Sequence, residues 1–397
     1  MTSHQAIRWQ ERAAALADNL AGRGILRSEV WRAAVEQTPR HVFIPADTIT
    51  TEAGSDAESS DADTWLDKVY SDSTLIVQRR RAPGGKLASL PTSSSTMPSL
   101  MIEMLEALDV HDGHRVLEIG TGTGYNAALL AHRLGGENVV SIDIDLNLTE
   151  AARRRLKELG SYPTLVAGDG LTGVPGRGPY DRIIATCAVP QIPVAWIEQL
   201  VPGGAMLVNV RGHIVGVLCF LVKKDDNEVI GHAIRSGGDF MWLRQKLENP
   251  LRASESPVRI GAKNVTRSLT ELSPATVRDS RDFVLLLQLG LPGLRMICAT
   301  DVFDPVEKRN RPGLLLYAED GSHAQAIIEP ENDGQHRVIQ GGSRRLWDTV
   351  ETTHKMWARL ANPAPHRFGV VANQTVQFVW LDSDMDWLRW PLPLVQP

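Results

Sequence analysis

Two stretches of the chain place side chains at spacings that could do chemistry. One is E-I-G-T-G-T-G, Glu118 to Gly124, where three alternating glycines follow the apolar run "RVLEI". Glycines there permit positive φ and let a ligand lie closer to the backbone than any side chain would allow. Asp143 ends the next apolar run, about 20 residues on, where a carboxylate can accept both hydroxyls of a ribose. Together they suit an adenosyl or a dinucleotide cofactor, and these residues alone leave both open. The other stretch is Ser93, Ser94, Ser95 and Thr96, four consecutive hydroxyls ahead of Pro98. Capping a helix that starts at Pro98 would use one of them. The rest could hold a polar reactant beside the glycine turn.

The elements that must position these groups are legible around them. Residues 115–220 alternate between apolar runs ("RVLEI", "NVVSID", "PTLVAG", "YDRIIAT", "AMLVNV") and helical patterns ("YNAALLAHRL", "LTEAARRRLKEL", "VAWIEQL"). Such alternation predicts a doubly wound parallel sheet, whose ligands bind beyond the carboxyl ends of the strands. "GHIVGVLCFLV" and "EVIGHAI" read as a hairpin added at the sheet's end. Upstream, Ala13, Leu16 and Leu20 share a helix face, Ser28 is the expected N-cap of a second helix, and Pro98 opens a third. Thr48 to Thr64 is acidic, Ser-rich and expected to be a solvated loop. Beyond residue 246, "FVLLLQL", "GLLLYA" and "TVQFVWL" read as short strands, and Leu346, Val350, Trp357 and Leu360 share a helix face. The expected organisation is a helical region with the acidic loop over 1–90, a Rossmann-like core over 91–245, and a separate α+β domain over 246–397. Truncation near residue 245 would then leave a soluble core.

At 397 residues the chain is long for a single core. Its net charge of −5 offers no basic surface for nucleic acid or an anionic membrane. Cys187, Cys219 and Cys298 form no C-x-x-C pair, in keeping with a reducing compartment. No apolar run approaches the ~20 residues of a spanning helix, and the polar N-terminus is unlike a signal peptide. A cytoplasmic protein is expected. No two histidines stand at metal-ligand spacing, so no metal is expected.

The order E-x-G-x-G-x-G, distinct from G-x-G-x-x-G, resembles the first motif of the Rossmann-like class I S-adenosylmethionine methyltransferases. "VLEIGTGTGYNAALLA", the "GDG" of 168–170, "PYDRIIATCAVPQIP" and "LVPGGAMLV" resemble, in order and spacing, the protein-L-isoaspartate O-methyltransferase family. "RGILRSEVWRAAVEQTPRHVFIP" is similar to that family's entry helices. The resemblance implies S-adenosylmethionine as cofactor and S-adenosylhomocysteine as product. It assigns the cofactor to Glu118, Gly120, Thr121, Gly122, Gly124, Asp143 and Ile144, with Asp169 beside the adenine amino group and Gly170 allowing close approach. The repair enzymes carry T-I-S-x-P; here Ser94-Ser95-Thr96-Met97-Pro98 aligns with it. Thr96 thus stands at the family's active-site serine and Ser94 at its threonine. The acidic insert and the C-terminal extension depart from the minimal repair enzymes. With "PTSSSTMP" and "DRIIATCAV" they resemble the O-methyltransferases encoded with ribosomally made, post-translationally modified peptides, those paired with ATP-grasp ligases (graspetides) first and lanthipeptide enzymes second. That implies a modified precursor peptide as substrate, an ATP-grasp ligase as pathway partner, and an aspartate ester that cyclises to an aspartimide. Repair of isoaspartate and a non-catalytic binding module are the alternatives.

An aspartate, with a pKa of about 4, is already ionised at neutral pH. Methylating it requires aim and desolvation more than a strong base. Hydroxyls can hold one carboxylate oxygen and leave the other free, so Ser93, Ser94, Ser95 and Thr96 are the expected catalytic residues. Cys187 and His41 are expected to be structural. Trp380, Trp387 and Trp390 are expected to pack in the core in preference to lining a peptide groove.

Overall fold

Runs as apolar as "VLEI" and "VVSI" are buried on both faces only inside a covered sheet, and that is where they lie. The computed structural model describes residues 3–45, 62–80, 90–224, 227–245, 265–304, 306–331, 333–382 and 388–393. Helices α1 (Ser3–Gly22), α2 (Glu29–Gln37) and α3 (Ala62–Val69) precede a two-stranded ribbon, β1 (Leu75–Arg80) and β2 (Leu90–Ser95). Helix α4 (Pro98–Leu108) follows. The doubly wound part comprises β3 (Val116–Ile119), α5 (Tyr125–Leu134), β4 (Val139–Asp143), α6 (Leu146–Glu158), β5 (Thr164–Ala167), β6 (Tyr180–Val189), α7 (Val194–Gln199) and β7 (Leu200–Arg211). Then come the hairpin strands β8 (Gly216–Lys223) and β9 (Val229–Ser236).

The C-terminal part contains β10 (Val265–Thr270), α8 (Pro274–Asp279), α9 (Arg281–Gly290), β11 (Arg295–Asp304), β12 (Arg309–Tyr317), β13 (His323–Ile327), β14 (His336–Gly341) and α10 (Leu346–Arg359). The chain ends on β15 (Phe368–Ala372), β16 (Gln377–Leu381) and β17 (Leu388–Pro391). Among the described residues the main sheet runs β17-β16-β15-β9-β8-β7-β6-β3-β4-β5, and β10 to β14 form a second, antiparallel sheet. Strands β5, β4, β3, β6 and β7 are parallel. The winding reverses at β3, which has β4 on one side and β6 on the other. That reversal opens a crevice at the strands' carboxyl ends.

Two expectations are corrected here. The described residues beyond 246 join the core instead of forming a separate domain. Strand β15 pairs antiparallel with β9, Val371 beside Ile230, and so continues the catalytic sheet. One apolar cluster joins Leu117 and Ile183 of that sheet to Phe283 and Leu286 of α9 and Trp347 of α10. The other face of the sheet is covered by α1, α2, α4 and α5 through Leu20, Trp31, Met104 and Leu129. Secondly, "FVLLLQL" is helix α9. Residues 283–289 are all buried, and an apolar run without polar gaps carries no period to tell strand from helix.

Smaller differences are local. Ser28 occupies the N-cap position of α2, yet its backbone N–H and its hydroxyl both donate to Glu106 Oε1, at 2.8 and 3.1 Å. Most of the acidic stretch lies outside the described residues; its end, Thr64, is on α3.

Candidate active site

The glycine turn is built to be rigid before any ligand arrives. Gly120 has φ +100°, and a Cβ there would stand 2.6 Å from Thr186 Oγ1. Only glycine fits. Gly122, at φ +51°, donates its N–H to Asp143 Oδ2 at 2.8 Å. Under the turn, the fully buried Glu118 accepts from Asn126 Nδ2 at 2.7 Å and from the Ser141 hydroxyl at 2.5 Å. Thr121 Oγ1 lies 2.6 Å from that same hydroxyl. Burial pushes Glu118 up to about 7, against the two hydrogen bonds that favour its charged form. Burial also raises Asp143, while the N–H groups of Asp145 and Gly122 oppose the shift.

The hydroxyl run proves to be a strand, not a helix cap. Ser93, Ser94 and Ser95 lie on β2, opposite Gln78, Ile76 and Leu75 of β1. Met97 takes the N-cap position of α4, and the Ser99 N–H donates to Asp72 Oδ1 at 2.8 Å. Two hydroxyls are committed: Thr92 donates to Gln78 Oε1, and Ser95 Oγ accepts from Arg40. Among the described residues, the hydroxyls of Ser93, Ser94 and Thr96 have no hydrogen-bond partner within the protein. Ribbon and cofactor side are tied together at Asp145, which caps α6 with one oxygen and takes Gln78 and Arg80 on the other.

These walls enclose a cavity of about 930 Å³ at the switch point. Ser93, Ser94, Ser95 and Thr96 line one side; Glu118, Gly120, Thr121, Gly122, Asp143, Ile144 and Gly170 line the other. Gly124 sits one step behind, where a Cβ would meet Ala152 at 2.8 Å. Asp169 is beside the cavity rather than among its lining residues; its Oδ1 caps the next turn through the Leu171 N–H. A third wall was missed from sequence: Gly238 to Arg244, pinned by Ala188 N–H to Met241 O and Leu243 N–H to Ala188 O. Arg211 stacks over Trp242 there, and Arg244 donates to Thr92 O at 3.1 Å. The Gly237-Gly238 pair was the available signal.

The remaining candidates are placed as follows. Cys187 is buried in the cavity wall, and burial pushes its thiol well above the usual range. His41 lies among Trp9, Trp65 and Tyr70, its Nδ1 2.9 Å from the Tyr70 hydroxyl. Trp380 packs edge-on against His232, and Trp390 against Phe368, away from the cavity. Trp387 lies outside the described residues.

Residues 11–238 match the model of the protein-L-isoaspartate(D-aspartate) O-methyltransferase family. The chain belongs to that family. It is 31% identical over 217 residues to the protein-L-isoaspartate O-methyltransferase of Methanopyrus kandleri, covering 54% of this chain and 83% of the relative. To that of Pyrococcus horikoshii it is 32% identical over 212 residues, covering 53% and 83%. A solved protein-L-isoaspartate O-methyltransferase covers 92% of this chain and 98% of its own, with TM-score 0.51 and 24% identity. That likeness shows the fold, and it extends through the C-terminal part.

The protein is thus a family carboxyl O-methyltransferase of the S-adenosylmethionine-dependent, Rossmann-like class. The cavity suits that cofactor. Each Asp143 oxygen keeps acceptor capacity after its one backbone bond, as paired ribose hydroxyls require. Asn126 Oδ1 is a buried acceptor without a partner, on the cavity wall, beside the turn. When bound, the cofactor supplies an electrophilic methyl group on a sulfonium.

Proposed function

We propose that this enzyme methyl-esterifies the side-chain carboxylate of an aspartate in a ribosomally made, modified peptide of the ATP-grasp (graspetide) class, the ester then closing to an aspartimide. The observation that carries the chemistry is the set of uncommitted hydroxyls, Ser93 and Ser94 on β2 and Thr96 just past it, which line the same cavity as the glycine turn. A carboxylate is ionised at neutral pH. The hydroxyls donate to one of its oxygens, desolvate it and leave the other directed at the cofactor side. A tight bidentate arginine would instead neutralise the nucleophile. The peptide class is supported by the departure of Ser94-Ser95-Thr96-Met97-Pro98 from T-I-S-x-P. A cavity near the upper end of the ~300–1,000 Å³ range for ligand sites also leaves room beside a nucleoside for a substrate side chain. The pathway partner would be an ATP-grasp ligase and the compartment the cytoplasm; no helix among the described residues is long and apolar enough to cross a membrane.

The second reading, repair of isoaspartyl residues in damaged proteins, is favoured by the family description and by the relatives' names. Both peptides offered with methyl-labelled cofactor separate the two. Turnover of the constrained aspartyl peptide, followed by loss of water relative to the starting acid, is the expected result. Efficient turnover of an isoaspartyl peptide and none of the constrained one would establish repair instead.

A further inference from the structure

Arg40 is completely buried, and its guanidinium has no carboxylate within ion-pair distance among the described residues. Asp72, which acts on it only at longer range, is held by Arg23 and by the Ser99 N–H. The guanidinium instead donates to neutral oxygens: Ser71 O at 3.2 Å, Ser73 O at 3.4 Å, Thr96 O at 3.3 Å and Ser95 Oγ at 3.4 Å. Its Nε has no partner at all. One face of the group stands 5.7 Å from the ring centroid of Tyr125, the first residue after the glycine turn. A buried cation without an ion-pair partner in contact is costly. The geometry also shows where an anion would relieve it. Ser95 and Thr96 line the cavity, and Arg40 lies directly behind both.

The Ser95 hydroxyl decides how the charge reaches the cavity. Its oxygen already accepts from the guanidinium, so its proton is left to donate elsewhere. A hydroxyl polarised by a cation on one side is a stronger donor on the other. Meanwhile the bonds to Ser71 O and Ser73 O, just ahead of β1, and to Thr96 O, just past β2, clamp the one end of the ribbon where β1 begins and β2 finishes. Stacking on Tyr125 ties that clamp to the glycine turn.

We propose that Arg40 is a positioning residue for the substrate carboxylate: through Ser95 it orients a hydroxyl donor into the cavity and supplies the positive charge that makes the site prefer an acid to its neutral isostere. The inference rests on the reading that β2 receives the carboxylate. Arg40 itself does not touch the carboxylate; its charge acts at one remove, which holds the carboxylate without quenching it as a nucleophile.

The test compares acid and amide binding on protein saturated with S-adenosylhomocysteine. Two peptide pairs serve as probes: an isoaspartyl hexapeptide with its isoasparagine counterpart, and an aspartyl peptide closed by a side-chain ring with its asparagine counterpart. Calorimetry on wild type, Arg40→Lys, Arg40→Gln and Ser95→Ala gives the acid-to-amide affinity ratio for the pair that binds. That ratio should fall about ten-fold in Arg40→Gln, the scale of a hydrogen bond to a charged group. Ser95→Ala should lose a similar factor, and the double variant little more, while Arg40→Lys keeps part of the preference. Cofactor affinity should stay within about two-fold throughout. Should Arg40→Gln fail to fold, Ser95→Ala carries the same expectation with a small substitution. A role in folding alone would weaken acid and amide equally, and an unchanged ratio in Arg40→Gln or Ser95→Ala would overturn the proposal. A wild type that does not separate acid from amide in either pair would overturn the reading beneath it as well.

Discussion

The two sides of the cavity are built on opposite plans. On the side of the glycine turn the polar groups are fixed in place by the protein, with acceptor capacity left over: Glu118 is held by Asn126 and Ser141, Thr121 by Ser141, and Asp143 by two backbone N–H groups. On the side proposed for the substrate, the hydroxyls of Ser93, Ser94 and Thr96 hold nothing among the described residues. A nucleoside cofactor is the same in every turnover, so a glycine turn held in one shape can be complementary to it at all times. A carboxylate must be desolvated on entry, and in the proposed reading open hydroxyls replace its water. The difference predicts that damage to one side shows in cofactor binding and damage to the other in turnover.

The most drastic way to break the comparison removes the support beneath both sides. Truncation at residue 245 takes β15 off β9 and α9 off the core, uncovering an edge strand and the apolar residues under Phe283 and Leu286. The product should aggregate on expression, as read by size-exclusion chromatography. A monodisperse fragment that binds S-adenosylmethionine would restore an independent catalytic domain.

Gly120→Ala comes next. It forces a side chain into φ +100° and against Thr186 Oγ1. A loss of about 1–3 kcal/mol in stability is expected from the backbone strain, together with cofactor binding too weak to measure by calorimetry.

The sharpest contrast pairs one residue from each side. Asp143→Asn should weaken the cofactor by about 1–3 kcal/mol. Thr96→Val and Ser94→Ala should lower kcat by about 10–100-fold, the worth of a hydrogen bond to a charged group, with the cofactor dissociation constant nearly unchanged. Thr96→Ser should keep most activity. Since Asp72, not Thr96, receives the first N–H of α4, Thr96→Val should leave the melting temperature almost where it was. Equal effects of both classes of variant on cofactor affinity would erase the distinction between the sides.

The smallest effect is a pH dependence of stability. Glu118 is raised by burial from 4.5 to about 7 in the folded protein. A raised carboxyl binds its proton more tightly folded than unfolded. Its contribution is therefore full below the unfolded value and is lost as pH rises through about 7. The melting temperature of the cofactor-free protein should drift down between pH 5 and pH 8, about the span of that titration. Glu118→Gln should flatten the drift; an unchanged slope would assign it to another group.

The sites differ in legibility for the same physical reason. Gly120, Gly122 and Asp143 belong to one strand–turn–helix–strand unit, so spacing along the chain reports spacing in the fold. Strand β2 does not. Its hydroxyls are presented by pairing with β1 and by Arg40, more than 50 residues upstream of Ser95, and a serine run has no apolar alternation to announce a strand. "FVLLLQL" was misjudged for a related reason: an entirely buried segment shows no polar face by which to measure its period. The third wall, Gly238 to Arg244, is irregular backbone held at Ala188 and left little trace beyond two glycines.

By itself the sequence determined the doubly wound sheet, the glycine turn and the family, because each depends on short-range patterns that local sterics and burial enforce. Tertiary structure alone decided that the last three strands complete the catalytic sheet, and that a buried Arg40 stands behind the hydroxyls. Sheet pairing and charge burial depend on which distant segment arrives as neighbour. No local pattern of residues encodes that arrival.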